Sequence, residues 1–197
     1  MNLLGIDFED WFHPELIQRH IKTKNNKPVM VKGIDKILDW LRRNDTYATF
    51  FMVGELLESE PELLDKIIGN NHEIGFHTMK HTRLDTPHYK DRFDQEIKRF
   101  SELTKGKSRG FRAPTFSLEY GTSWAIDVLY KNNYLYDSSI VPAKTRLYGI
   151  PNAPTKPYKI SSDKIDQNDP NARMSEFPLM ITKFFGNFFQ SLSYKSM

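Results

Sequence analysis

Three short segments carry the residues best suited to chemistry. The first is Asp7-Phe8-Glu9-Asp10. Side chains alternate along an extended strand, so Asp7 and Glu9 share one face and Phe8 takes the other. Two carboxylates on one face repel each other unless a cation or an arginine lies between them. They suit one metal ligand and one general base, although acids at a strand end can also cap a helix or meet solvent. The second segment is His77-Thr78-Met79-Lys80-His81, whose two imidazoles stand four residues apart. Such a pair can converge on one divalent ion, and it can equally be two exposed loop histidines. A zinc-protease reading of nearby His72-Glu73 fails, because Phe76 stands where the second histidine would be needed. The third segment is Gly110-Phe111-Arg112-Ala113-Pro114-Thr115-Phe116. An arginine before a stiff proline turn can grip a carboxylate bidentately and keep it ionised near neutrality.

Short apolar runs alternating with helical periodicity must position these residues, the pattern of β/α architecture. The first strand runs from residue 2 to about residue 8. Ile34, Ile37, Leu38 and Leu41 form one face of a helix. Residues 46–53 are β-branched and aromatic, as a buried strand requires. Residues 56–68 are helical, with Pro61 opening a second segment. A strand over 72–76 follows, then a helix carrying Tyr89, Phe93, Ile97 and Phe100. Further on come a strand at 109–112, a helix at 123–132 and a strand at 134–137. Six of the eleven prolines lie between Pro142 and Pro178, where only strands at 156–160 and 175–177 can be placed. Four or five β/α units are legible, which does not fill an eight-unit barrel. Sites in such folds collect at the C-terminal strand ends, where Asp7, Glu9, His77, Arg112 and Asp137 all fall.

Composition narrows the classes. With 197 residues the chain suits one domain, taken here as residues 1–197. A net charge of +3, with basic and acidic residues interspersed, gives no electrostatic footprint for nucleic acid. There is no cysteine, so any metal site must use nitrogen and oxygen donors. The start of the sequence has no basic leader, and no apolar run approaches the roughly 20 residues of a membrane span. These features lead us to expect a cytoplasmic protein without a transmembrane segment.

Taken together, the acid pair, H-T-x-x-H and R-x-P in that order resemble the polysaccharide deacetylases of the NodB-homology type, carbohydrate esterase family 4. Tyr136-Asp137-Ser138-Ser139 resembles the Y-D-S-S segment of the branch that works in exopolysaccharide and surface-glycan biosynthesis. The likeness runs from residue 2 to about residue 142. It implies a distorted, incomplete (β/α) barrel and hydrolysis of the N-acetyl group of a sugar or polysaccharide. It implies one divalent metal ion, Zn2+ by preference, and an N-acetylated carbohydrate as partner. By this likeness Asp7 is the general base and Arg112 orients it, while Glu9, His77 and His81 hold the metal. Asp10 is the rival ligand, since the commoner family form uses adjacent acids. Pro114, Thr115, Phe116 and Asp137 line the substrate side, with Phe116 walling the acetyl pocket or packing as ordinary core.

The family's late histidine, which protonates the leaving amine, has no counterpart, because all six histidines precede residue 89. Residues 184–197 are apolar and aromatic and do not finish as a barrel strand and helix would. The expectation is a member lacking its C-terminal part, by roughly 70–100 residues on the scale of complete barrels. Two other readings stand beside it: a non-catalytic carbohydrate-binding relic, and a metal-free amide hydrolase of the allantoinase type.

Overall fold

The computed structural model describes residues 3–21, 27–184 and 187–190. Residue 2, expected to open the first strand, and residues 185–186 and 191–197 of the expected aromatic terminus lie outside them. The chain forms two compact units, one of residues 1–82 and 95–110 and one of residues 83–94 and 111–197.

The first unit holds β1 (Leu4–Phe8), α1 (Glu15–Gln18), α2 (Met30–Arg43), β2 (Ala48–Met52), α3 (Gly54–Ser59), α4 (Glu62–Gly69) and β3 (Glu73–Phe76). It also takes α5 (Lys90–Leu103) from Gln95 onward. The three strands pair in parallel in the order β1-β2-β3. Phe50 and Phe51 point to opposite faces of β2 and both are buried, as a sheet covered on both sides demands. One cover is α2, whose Ile34, Leu38 and Leu41 fall one and two turns apart and are buried. Helical density over 56–68 divides as expected: α3 stops at Ser59, and Pro61 caps α4.

Register fixes where chemistry can gather. Phe8 pairs with Met52, and Met52 with Phe76, so the three strands end level. All three side chains are fully buried. The next residues, Glu9 and His77, therefore leave the same edge of the sheet.

The chain passes from one unit to the other after Thr82, inside α5 and inside β4 (Gly110–Phe111). The second unit adds α6 (Trp124–Lys131), β5 (Tyr136–Asp137), β6 (Tyr158–Ile160), β7 (Met174–Glu176), β8 (Ile181–Phe184) and β9 (Asn187–Gln190). Its core sets Phe93 edge-on to both Phe111 and Trp124, each at 5.5 Å between ring centroids. Strand β7 pairs in parallel with β5 and antiparallel with β6, while β8 and β9 form a separate antiparallel pair. Strand β6 thus runs against the direction of β7. Short proline-bounded strands need only a loop to reverse direction, and no crossover helix separates β6 from β7. Among the described residues no helix is long and apolar enough to cross a membrane.

Phe76 stands immediately before the first candidate histidine and stacks on Phe100 at 4.7 Å. Replacing it by Ala leaves a cavity under that edge and should cost about 3–5 kcal/mol, with a smaller loss for Phe76→Leu, which leaves a smaller cavity. Urea unfolding followed by circular dichroism measures both.

Candidate metal centre

In the first unit Glu9, His77 and His81 converge. One donor atom of each lies within 4.8 Å of the others, comparable with the spread of ligands around one ion at about 2.0–2.2 Å bond length. His77 and His81 are 1% and 7% exposed, and their ring centroids stand 5.0 Å apart. The Oε2 atom of Glu9 lies 2.6 Å from Nε2 of His81. Despite that approach, Glu9 Oε2 is a buried atom without a hydrogen-bond partner among the described residues, and so is His81 Nδ1. A buried carboxylate oxygen so placed is satisfied by a positive charge beside it. The donor set therefore fits a divalent cation on its own geometry: two imidazoles and a carboxylate, with no thiolate in the chain.

The loop that presents the histidines is held in an unusual backbone. Thr78 has φ 59° and His81 φ 55°, both left-handed, each costing on the order of 1–3 kcal/mol. A ring of hydrogen bonds offsets that strain. His77 N–H donates to Met52 O, Gly54 N–H to Thr78 O and Glu55 N–H to Met79 O. Thr78 Oγ1 accepts from Thr82 N–H at 2.8 Å, and Glu96 Oε2 from Met79 N–H at 3.1 Å. Gly54 is needed for close approach, since a Cβ there would lie 2.2 Å from Met79 Sδ.

Asp10 points elsewhere. Its Oδ2 accepts from the N–H groups of Val29 and Met30 at 2.6 and 2.8 Å, and its Oδ1 from Trp11 N–H at 2.9 Å. Both oxygens are thus spent on backbone donors, two of them at the start of α2, where orphan N–H groups and the helix dipole favour an anion. The expectation of Asp10 as rival ligand is corrected on this ground. Its own N–H donates to Nδ1 of the buried His13, which fixes that tautomer, and His13 Nε2–H donates to Glu55 Oε1 at 2.7 Å. His13 and Glu55 were not singled out from sequence, because nothing in their spacing marks them. Asp7 lies half-buried on β1, in register with Phe51.

The second unit holds the other expected residues. Arg112 Nε donates to Ser138 O, and an Nη to Ser138 Oγ, both at 2.9 Å. Two donors spent on one residue fix the guanidinium plane. Its Cζ lies 6.0 Å from the centroid of Phe116, which stands edge-on to Tyr148 at 5.2 Å. Phe116 is half-buried, whereas Pro114 is buried. Thr115 and Phe116 adopt φ 51° and 49° in a short 3-10 turn that opens at Pro114. Asp137, expected on the substrate side, is 0% exposed and spends both oxygens on Ser139. It cannot contact a substrate in this arrangement, and that expectation is corrected.

Two variants separate the neighbouring acids. Asp10→Ala should cost about 1–2 kcal/mol of stability, as lost helix caps do, and should keep metal affinity within about tenfold, as for an outer-shell change. Glu9→Ala should abolish stoichiometric metal while leaving stability largely intact. Urea denaturation and metal titration of the two proteins read both effects.

Known proteins agree with the pattern. The sequence profile of the family described as "Polysaccharide deacetylase" matches residues 25–129, more than half of the chain. That span includes both histidines and Arg112. A peptidoglycan-N-acetylglucosamine deacetylase of Bacillus cereus is 33% identical over 96 residues, covering 47% of this chain and 35% of the relative. The matches span only 27–35% of the length of the first curated relatives. A Mycobacterium smegmatis structure assigned to the polysaccharide deacetylases superposes with a TM-score of 0.62 at 19% identity, covering 89% of this chain and 57% of that one. The Puue allantoinase superposes with a TM-score of 0.58 at 15% identity, covering 92% and 61%. These likenesses give the fold as the distorted, incomplete (β/α) barrel expected from the sequence. With that fold, the matched profile and the ordered motifs, the chain belongs to the polysaccharide deacetylase family, the NodB-homology group of carbohydrate esterase family 4.

Proposed function

We propose that this chain carries the hydrolytic centre of a metal-dependent deacetylase, which cleaves the acetamide of an N-acetylated sugar to acetate and a free amine. The observation that carries the reading is the trio Glu9, His77 and His81, both histidines buried, with a buried carboxylate oxygen and an imidazole nitrogen pressed together and no hydrogen bond between them. Those three residues would hold the ion, and their nitrogen and oxygen donors suit Zn2+. When bound, the cation supplies Lewis acidity to water and to the acetamide carbonyl.

The remaining work falls to the chain's own side chains. Asp7 is the general base, accepting the proton of the attacking water at its carboxylate. By the family likeness Arg112, with its plane fixed on Ser138, takes the part of the orienting arginine. A backbone N–H near Thr115 is the donor for the developing oxyanion, and Phe116 walls the acetyl group. As the C–N bond breaks, the amine takes up a proton. The family gives that task to a late histidine absent from these 197 residues, so slow turnover is expected of this chain by itself. The Y-D-S-S likeness directs the substrate toward a surface glycan or its precursor. The intact pair His77 and His81 argues against the metal-free, allantoinase-type alternative.

Calorimetric titration with Zn2+ should give one site per chain, lost in His77→Ala. Acetate release from N-acetylglucosamine oligomers should be slow and should fall at least ~100-fold in Asp7→Asn. Stoichiometric metal with no acetate at all would identify the binding-only relic, and no stoichiometric metal would refute the reading altogether.

A further inference from the structure

Two carboxyl groups that the proposed reaction does not use lie side by side in the second unit. Asp137 and Glu176 are register partners on the parallel strands β5 and β7, and both are 0% exposed. Two ionised carboxylates at adjacent strand positions in a dry interior repel strongly, so such a pair must hold a proton. The hydrogen bonds show where it sits. Asp137 Oδ1 accepts from Ser139 Oγ at 2.6 Å and Oδ2 from Ser139 N–H at 3.0 Å, which favours its ionised form. Glu176 Oε1 accepts from Ile140 N–H at 3.0 Å, while Oε2 is buried with no donor directed at it. A proton on Oε2 converts that oxygen into a donor, with Asp137 as its acceptor. In agreement, burial and then the Asp137 charge push the Glu176 carboxyl well above the ordinary range. Burial also raises Asp137, opposed by hydrogen bonds from Glu176 and Ser139 and by the Arg112 charge.

The pair is wired to Arg112 through the residues between them. Ser139 Oγ, which donates to Asp137, accepts from Ala113 N–H at 2.8 Å. Ser138, which receives both Arg112 hydrogen bonds, donates its hydroxyl to Phe177 O at 2.8 Å, next to Glu176. Ser138 N–H donates to Phe111 O, and Phe177 N–H to Asp137 O. The charged and titratable groups facing the pair are Arg112 and, from β6, Tyr158. Tyr158 is the register partner of Glu176; burial first and then the two acids push its hydroxyl upward, and it donates to Ile165 O.

We propose that Glu176 is a positioning residue for Arg112: protonated against Asp137, it locks the turn at residues 138–140 and keeps a second negative charge away from the guanidinium. The proposal rests on the role given to Arg112 above. With a single anionic charge behind it, Arg112 keeps its hydrogen-bonding plane on Ser138.

The test uses the intact chain and the variants Glu176→Gln, which keeps a donor and an acceptor in place, and Glu176→Leu, which keeps neither. Infrared spectra in heavy water near neutral pH should show the carbonyl band of a protonated carboxylic acid in the wild type and lose it in Glu176→Gln. In nitrogen-15 spectra the Arg112 Nε–H should exchange slowly in the wild type and in Glu176→Gln, and about tenfold faster in Glu176→Leu. The sign of the pH effect follows. A carboxyl raised in the folded state contributes stability below the unfolded pKa of about 4.3 and loses it as pH rises. Wild-type stability should therefore decline with pH relative to Glu176→Gln. Absence of the acid band, or an Arg112 signal perturbed as much by Gln as by Leu, overturns the proposal; if Glu176→Leu does not fold, the band and the Gln variant decide it. None of these readouts depends on turnover, so an inactive chain with the expected spectra would count against the deacetylase reading and not against this one.

Discussion

The site depends on one electrostatic demand: a buried carboxylate oxygen and an imidazole nitrogen face each other at 2.6 Å with no hydrogen bond between them, beside a second imidazole. A buried carboxylate oxygen that has lost water and gained no donor is costly, and a cation held beside it offsets that cost. Protein stability elsewhere must hold it in place. Level strand ends at Phe8, Met52 and Phe76 deliver the ligands to one edge, and left-handed residues at Thr78 and His81 turn the rings inward. Strain of this kind persists where the surroundings over-determine it, here through backbone donors of α3 and the carboxylate of Glu96.

The neighbouring acids illustrate how environment divides identical chemistry. Glu9 faces the histidines, while Asp10, one residue on, is consumed by the backbone at the start of α2. In the second unit Ser139 donates to both oxygens of Asp137, whereas Glu176 beside it has one oxygen with no donor directed at it. Each assignment follows from counting donors around each oxygen, with burial setting how much each missing donor costs.

Much of this was legible in the amino-acid sequence, for physical reasons. Short apolar runs marked β1 and β3, a β-branched and aromatic run marked β2, and apolar spacing marked α2 and α5, because periodicity reports burial directly. His77 and His81 were legible as a pair because four-residue spacing is a local property. The choice between Glu9 and Asp10 was not, since it turns on N–H groups at Val29 and Met30, about twenty residues away. Glu176 was missed entirely. It occupies an inward position two residues after the buried Met174, which hints at a buried acid, yet only the β5–β7 register reveals its partner. Asp137 was read from its motif as a substrate contact, and the same register shows why it is buried instead. The reversal of β6 also escaped the sequence, because proline-rich loops carry no record of strand direction.

X-ray absorption at the metal edge tests the central claim most directly. The wild-type chain loaded with one equivalent of Zn2+ should show a first shell of nitrogen and oxygen at about 2.0–2.2 Å, with the outer-shell scattering of two imidazoles. Half of that imidazole signal should vanish in His77→Ala, and an oxygen in Glu9→Ala but not in Asp10→Ala. A spectrum without imidazole scattering, or one that survives both His77→Ala and Glu9→Ala unchanged, would contradict the account.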